Sequence, residues 1–95
     1  MQQNRGPGYD RHHVVERWAE DDGMPRSKIY TPDNEVPIPK IAHWEINRWL
    51  GKPNDNFKDA EGRKLTPREY LRGKTWEERY DFGLDVLRKF GVLKP

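Results

Sequence analysis

Three histidines and two asparagines carry the chemistry this sequence offers. His12 and His13 are adjacent, Asn34 follows His13 by twenty-one positions, His43 follows Asn34 by nine, and Asn47 follows His43 by four. The chain has no other histidine. An imidazole of ordinary acidity is largely neutral at pH 7, so it can accept a proton from water or give a lone pair to a metal. Asparagine adds an amide oxygen and a turn-forming side chain. His43 and Asn47 share one face of any helix that carries both.

The order His-His, then Asn, then His-x-x-x-Asn resembles the HNH (His-Me finger, ββα-metal) nucleases. It is most similar to the branch at the C-terminal tips of bacterial polymorphic toxins. There a His-His-Val-Val-Glu strand precedes Asn-x-Val-x-Ile-Pro and then His. Here the stretches read His12-His13-Val14-Val15-Glu16 and Asn34-Glu35-Val36-Pro37-Ile38-Pro39. The resemblance runs over residues 9–50, and the stretch from Thr66 to Pro95 is similar to the tail that follows such cores. The interval between His13 and Asn34 is long for a compact core and reads as an inserted loop.

The resemblance implies a metal-dependent endonuclease that hydrolyses phosphodiester bonds of DNA, with RNA as the alternative substrate. It implies one divalent metal ion held by two imidazoles and one amide oxygen, a donor set of borderline softness open to Mg, Mn, Zn or Ni. Position by position, His12 matches a metal ligand and His13 the general base. Asn34 matches the residue that fixes the loop around the base. His43 matches a ligand on the helix, and Asn47 the place of a second helical ligand. It also implies the toxin tip of a secreted antibacterial effector, acting in the target bacterial cytoplasm and neutralised by a cognate immunity protein.

Phosphodiester hydrolysis needs an activated water, neutralised phosphate charge and help for the leaving oxygen, and one divalent ion with one base supplies all three. Successive strand residues face opposite ways, so a bend is required to bring His12 and His13 to one site. Asp10 and Glu16 flank the pair and are candidates to orient a ligating imidazole. Arg11, Arg17, Lys40 and Arg48 are the candidate phosphate contacts, Arg11 and Arg17 foremost.

Each of these residues also has a plainer explanation. Paired histidines are commonly surface residues. Pro32-Asp33-Asn34 makes a good turn by itself. His43 lies between Ala42 and Trp44 and would pass for a packed histidine, and Asn47 for an exposed helix residue. Trp18, Trp44 and Trp49 are expected to be buried rather than to stack on bases.

The elements that must position these groups read as an α+β domain: a ββα-metal (His-Me) finger with additional C-terminal helices. Residues 1–8 read as a flexible leader and 9–95 as one nuclease domain, with its finger core at 9–50 and C-terminal helices at 66–90. Val14-Val15 suggests a strand over 9–16, and 18–24 a turn of helix. Residues 26–33 read as a loop and 35–37 as a short second strand, because four prolines between 25 and 39 disfavour long regular structure. Ile38, Ile41, Ala42, Ile46, Trp49 and Leu50 repeat at helical spacing over 39–50, closed by Gly51 and Pro53. Residues 54–65 read as loop. Thr66-Pro67-Arg68-Glu69 and Thr75-Trp76-Glu77-Glu78 are capping boxes opening a short helix to Arg72 and a longer one to Phe90. Trp76, Tyr80, Gly83, Leu84 and Leu87 fall on one face of the second.

Composition bounds the rest. The 95 residues are 33% hydrophobic and 36% charged, enough for one small core. Eleven aromatic residues, four of them Trp, supply large pieces for it. Cysteine is absent, which removes disulfides and thiolate zinc sites and leaves a bound metal as the local staple. A net charge of +2 is only mildly suited to a polyanion. No stretch reaches the apolar length of a membrane span, and the first residues lack the apolar core of a signal peptide. Two other classes fit the same residues: a metal-stabilised nucleic-acid-binding module without catalysis, and a metal-free helical protein-interaction domain.

Overall fold

Tyr9–His13 forms strand β1 and Glu35–Pro39 forms strand β2 in the computed structural model, which describes residues 8–93. The expected leader therefore lies outside the described residues except for Gly8. The two strands pair antiparallel with Tyr9 opposite Pro39, His12 opposite Val36 and His13 opposite Glu35. Pairing sends alternate residues to alternate faces. Asp10 and His12 share a face with Ile38 and Val36, and Arg11 and His13 share the other with Pro37 and Glu35. β2 continues through two prolines, further than expected. A two-stranded ribbon has only edge strands, where a missing N–H can face outward.

The chain leaves β1 after His13 and bends at Val14 and Val15. Both valines are buried, one in each of the two core clusters. Val14 packs with Ile38, Ile46, Leu50, Val86 and Leu87. Val15 packs with Ala19 and Ile29 under the loop that joins the strands. That loop is more regular than the sequence suggests. It holds a 3-10 helix at Arg17–Asp22, a short helix α1 at Arg26–Ile29 and a 3-10 turn at Pro32–Asn34. Buried Ile29 is what draws the middle segment inward.

Helix α2 spans Lys40–Leu50 directly after β2, with Pro39 as its N-cap. Ile46 and Leu50 are buried against the core, but Ile41 is 75% exposed and Trp44 62% exposed. Burial of Trp44, expected from its size, is thus corrected. A helix of this length has one buried stripe, and Trp44 lies off it. Residues 54–65, expected as loop, form a small antiparallel hairpin of β3 (Asn54–Lys58) and β4 (Lys64–Leu65). Phe57 fixes it by joining an aromatic cluster with Trp49, Tyr70 and Phe82.

Both capping boxes form. Thr66 opens α3 (Pro67–Leu71) and Thr75 opens α4 (Trp76–Lys89). Gly83, in the middle of α4, meets the backbone of Val14 so closely that a methyl group there would overlap the Val14 carbonyl oxygen. Arg79 is buried at 2% exposure. Its guanidinium pairs with Asp22, donates to the Lys74 carbonyl at 2.9 Å and lies over the Trp18 ring. The domain is thus α+β, with two small antiparallel sheets and helices packed behind them. No helix among the described residues is long and apolar enough to cross a membrane.

Candidate active site

The ribbon and α2 bring His12, His13, His43 and Asn47 to one open cleft, which Glu16, Arg68, Arg11, Arg17, Trp18, Tyr30 and Glu35 also line. His12 comes from the buried face of β1. His43 and Asn47 come from one face of α2, one turn apart. The bend at Val14–Val15 turns the chain past the end of the ribbon, so both neighbouring histidines border the cleft.

His12 is 4% exposed. Burial, together with the nearby His43, pushes its pKa down to about 4. It is therefore neutral at pH 7, the form that ligates metals. His43 takes its orientation from Asp10, whose Oδ2 is 3.0 Å from Nδ1. Nε2 of His43 has no hydrogen-bond partner among the described residues. Lys40 first and His43 second hold the Asp10 carboxyl below the usual range. Of the two acids flanking the pair, Asp10 thus orients an imidazole, while Glu16 is engaged elsewhere.

The His12 and His43 rings meet edge to face with centroids 5.4 Å apart. Two imidazoles bound at about 2.1 Å to one tetrahedral ion have ring centres roughly 5 Å apart. The separation of His12 and His43 matches that spacing, and the edge-to-face packing is also an ordinary aromatic contact. Among the described residues no three His, Cys, Asp or Glu side chains converge as a metal-holding group. The remaining positions would fall to water or an incoming phosphate.

His13 is partly buried, and burial is the main cause that lowers its pKa, so it too is neutral at pH 7. Its Nε2 is enclosed without a hydrogen-bond partner among the described residues, 3.4 Å from Glu35 Oε2. The carboxylate favours the tautomer with its proton on Nε2, which leaves a lone pair on Nδ1. Tyr30 packs edge-on against the ring.

Asn34 does not border the cleft; it holds the loop behind it. Its Oδ1 accepts from the Val15 N–H at 2.8 Å, and its Nδ2 donates to the carbonyls of Val15 at 2.9 Å and Ile29 at 3.0 Å. The Asn34 carbonyl accepts from the Val14 N–H at 2.9 Å. One fully buried amide thereby fixes the two residues that follow His13. Tyr80 on α4 donates to the Asp33 carbonyl and braces the same turn.

Of the four expected phosphate contacts, Arg11 and Arg17 line the cleft and Lys40 and Arg48 do not. Lys40 pairs with Asp10 at 2.8 Å, and Arg48 lies over the Trp44 ring. Arg68, like Glu35 and Tyr30, is a cleft residue that sequence reasoning missed. Its Nε and Nη2 grip the Glu16 carboxylate, with Nη2 at 2.8 Å from Oε2, and Nη2 also donates to Asn47 Oδ1 at 3.0 Å. The capping box around it explained its neighbours, and nothing in a spacing of fifty-two residues connects it to Glu16.

Comparison with known proteins finds no matching family model, no matching curated protein and no matching solved structure.

Proposed function

We propose that this domain is a metal-dependent endonuclease of the ββα-metal type, hydrolysing phosphodiester bonds of DNA. The observation that carries the reading is the meeting of two imidazoles, His12 and His43, beside a third, His13, at one cleft flanked by Arg11 and Arg17. His12 and His43 would hold one divalent ion, which would supply charge neutralisation at the phosphate and at the leaving oxygen. His13 takes the proton of the attacking water on Nδ1, while Glu35 keeps the ring in the productive tautomer. Asn34 fixes the backbone from which His13 projects, and Asp10 fixes His43. Arg11 and Arg17 meet the phosphate strand.

The sequence resemblance extends the proposal to an antibacterial effector tip with a cognate immunity protein. Cleavage of supercoiled plasmid with EDTA, Mg, Mn, Zn or Ni, beside His13→Ala, tests the reading. Metal-dependent nicking that disappears in the variant is expected. Activity that survives in His13→Ala would break the base assignment. A folded domain that binds metal but cuts neither DNA nor RNA would be a binding module.

A further inference from the structure

Arg68 sits in the cleft with its two outer partners fixed. Glu16 Oε1 accepts from Trp18 Nε1 at 2.8 Å and from Arg68 Nε at 3.0 Å, and Oε2 accepts from Arg68 Nη2. Asn47 Oδ1 accepts the other Nη2 hydrogen. Three directions of the guanidinium are thus tied, and the paired carboxylate keeps it firmly charged. Nη1 makes no hydrogen bond among the described residues and lies beside Gly51 at the end of α2.

The amide of Asn47 is changed in character by this bond. Its oxygen, the only atom able to ligate a metal, is given to Arg68, and its remaining group is an NH2. An NH2 donates to phosphate oxygens and does not bind cations. A guanidinium beside that oxygen also repels a metal ion. Asn47 is one helical turn, about 5.4 Å, along α2 from His43.

We propose that Arg68 and Asn47 form a phosphate-binding subsite, Arg68 held by Glu16, that grips the phosphate next to the one at the histidines. Asn47 serves this subsite and is not a metal ligand. The inference rests on the nuclease reading and adds a substrate contact to it. An arginine already immobilised loses little freedom on binding, which suits it to hold a strand in register for His13.

The test is binding of a fluorescein-labelled DNA duplex in EDTA, read by anisotropy over a series of salt concentrations. The variants are Glu16→Gln/Arg68→Gln, which leaves no unpaired charge, and Arg68→Lys, with folding checked by circular dichroism. One lost phosphate contact makes the log–log salt slope shallower by about one, and weakens binding roughly tenfold at about 0.1 M salt. That result is expected for the double variant, with most of the slope recovered in Arg68→Lys. Calorimetric titration with Mn in Asn47→Ala is expected within about twofold of wild type. A folded double variant with wild-type slope and affinity overturns the subsite and makes Arg68 a strut. A tenfold loss of Mn affinity in Asn47→Ala restores that residue to the metal. A wild-type domain that binds neither a DNA nor an RNA duplex overturns the nuclease reading itself, before any variant is compared.

Discussion

Gly83 lies against Val14 at a distance no other residue could tolerate. A β-carbon built there comes within 2.8 Å of the valine Cγ1 and overlaps its carbonyl oxygen. In an exposed helix interior, Gly→Ala is stabilising by about 1 kcal/mol. Here the sign reverses. Gly83→Ala is expected to destabilise by about 1–3 kcal/mol, since α4 must move off the bend that follows His13. Urea unfolding measures this, and a stabilised variant would contradict the contact.

Asn34→Ala should be more costly. It strips partners from the Val15 N–H and from the carbonyls of Val15 and Ile29. Each buried group left unsatisfied costs about 1–3 kcal/mol, so a loss of at least 3 kcal/mol is expected. Asn34→Asp keeps the acceptor but aims a carboxylate at two carbonyl oxygens, and should also destabilise at pH 7. Equal stability of Asn34→Asp and wild type at neutral pH would show that the amide NH2 does not hold the loop.

Asp10→Asn is expected to leave the fold intact and weaken divalent-ion binding by about 10–100-fold. The carboxylate orients His43 through its contact with Nδ1. Calorimetric titration of the variant with Mn reads the effect directly. An unchanged affinity would remove His43 from the ion.

Acid should unfold the metal-free domain early. His12 has a folded pKa of about 4 against 6.5 when exposed. Between those values the unfolded chain binds more protons, so stability rises with pH. The contribution is complete above about pH 6.5 and is lost as pH falls toward 4, amounting to about 3 kcal/mol. His13 shifts the same way. Denaturant midpoints in EDTA across this range should fall with acid, and less so in His12→Leu. A wild-type midpoint that stays flat from neutrality to pH 5 would place His12 in contact with water.

How much of this was legible in the sequence depends on whether the signal is local. The capping boxes at Thr66 and Thr75 are closed within four residues, and both helices begin where they say. The spacing from His43 to Asn47 put both on one helical face, and both line the cleft. Periodicity placed Ala42, Ile46, Trp49 and Leu50 on the side of α2 that meets the core, but Ile41 of the same pattern is exposed, and so is Trp44, whose burial was expected from its size alone. The β3–β4 hairpin lacks alternating apolar residues, because a single aromatic, Phe57, anchors it from across the fold. Arg68 and buried Arg79 find their acids more than fifty residues away, and no window of sequence holds both partners.

The pairing of Glu16 with Arg68 and the seating of Val14 on Gly83 have a consequence for the order of assembly. The histidines are all made within the first half of the chain, with Asp10, Asn34 and Glu35 beside them, yet Arg68, which lines the cleft, and Gly83, which seats its bend, come from the last third. A ribosome that has released residues up to Gly51 has made every imidazole of the cleft but has not closed it. Competence would therefore arrive late and together with the final helix, and a fragment holding only the strands and α2 would carry the ligands without the frame.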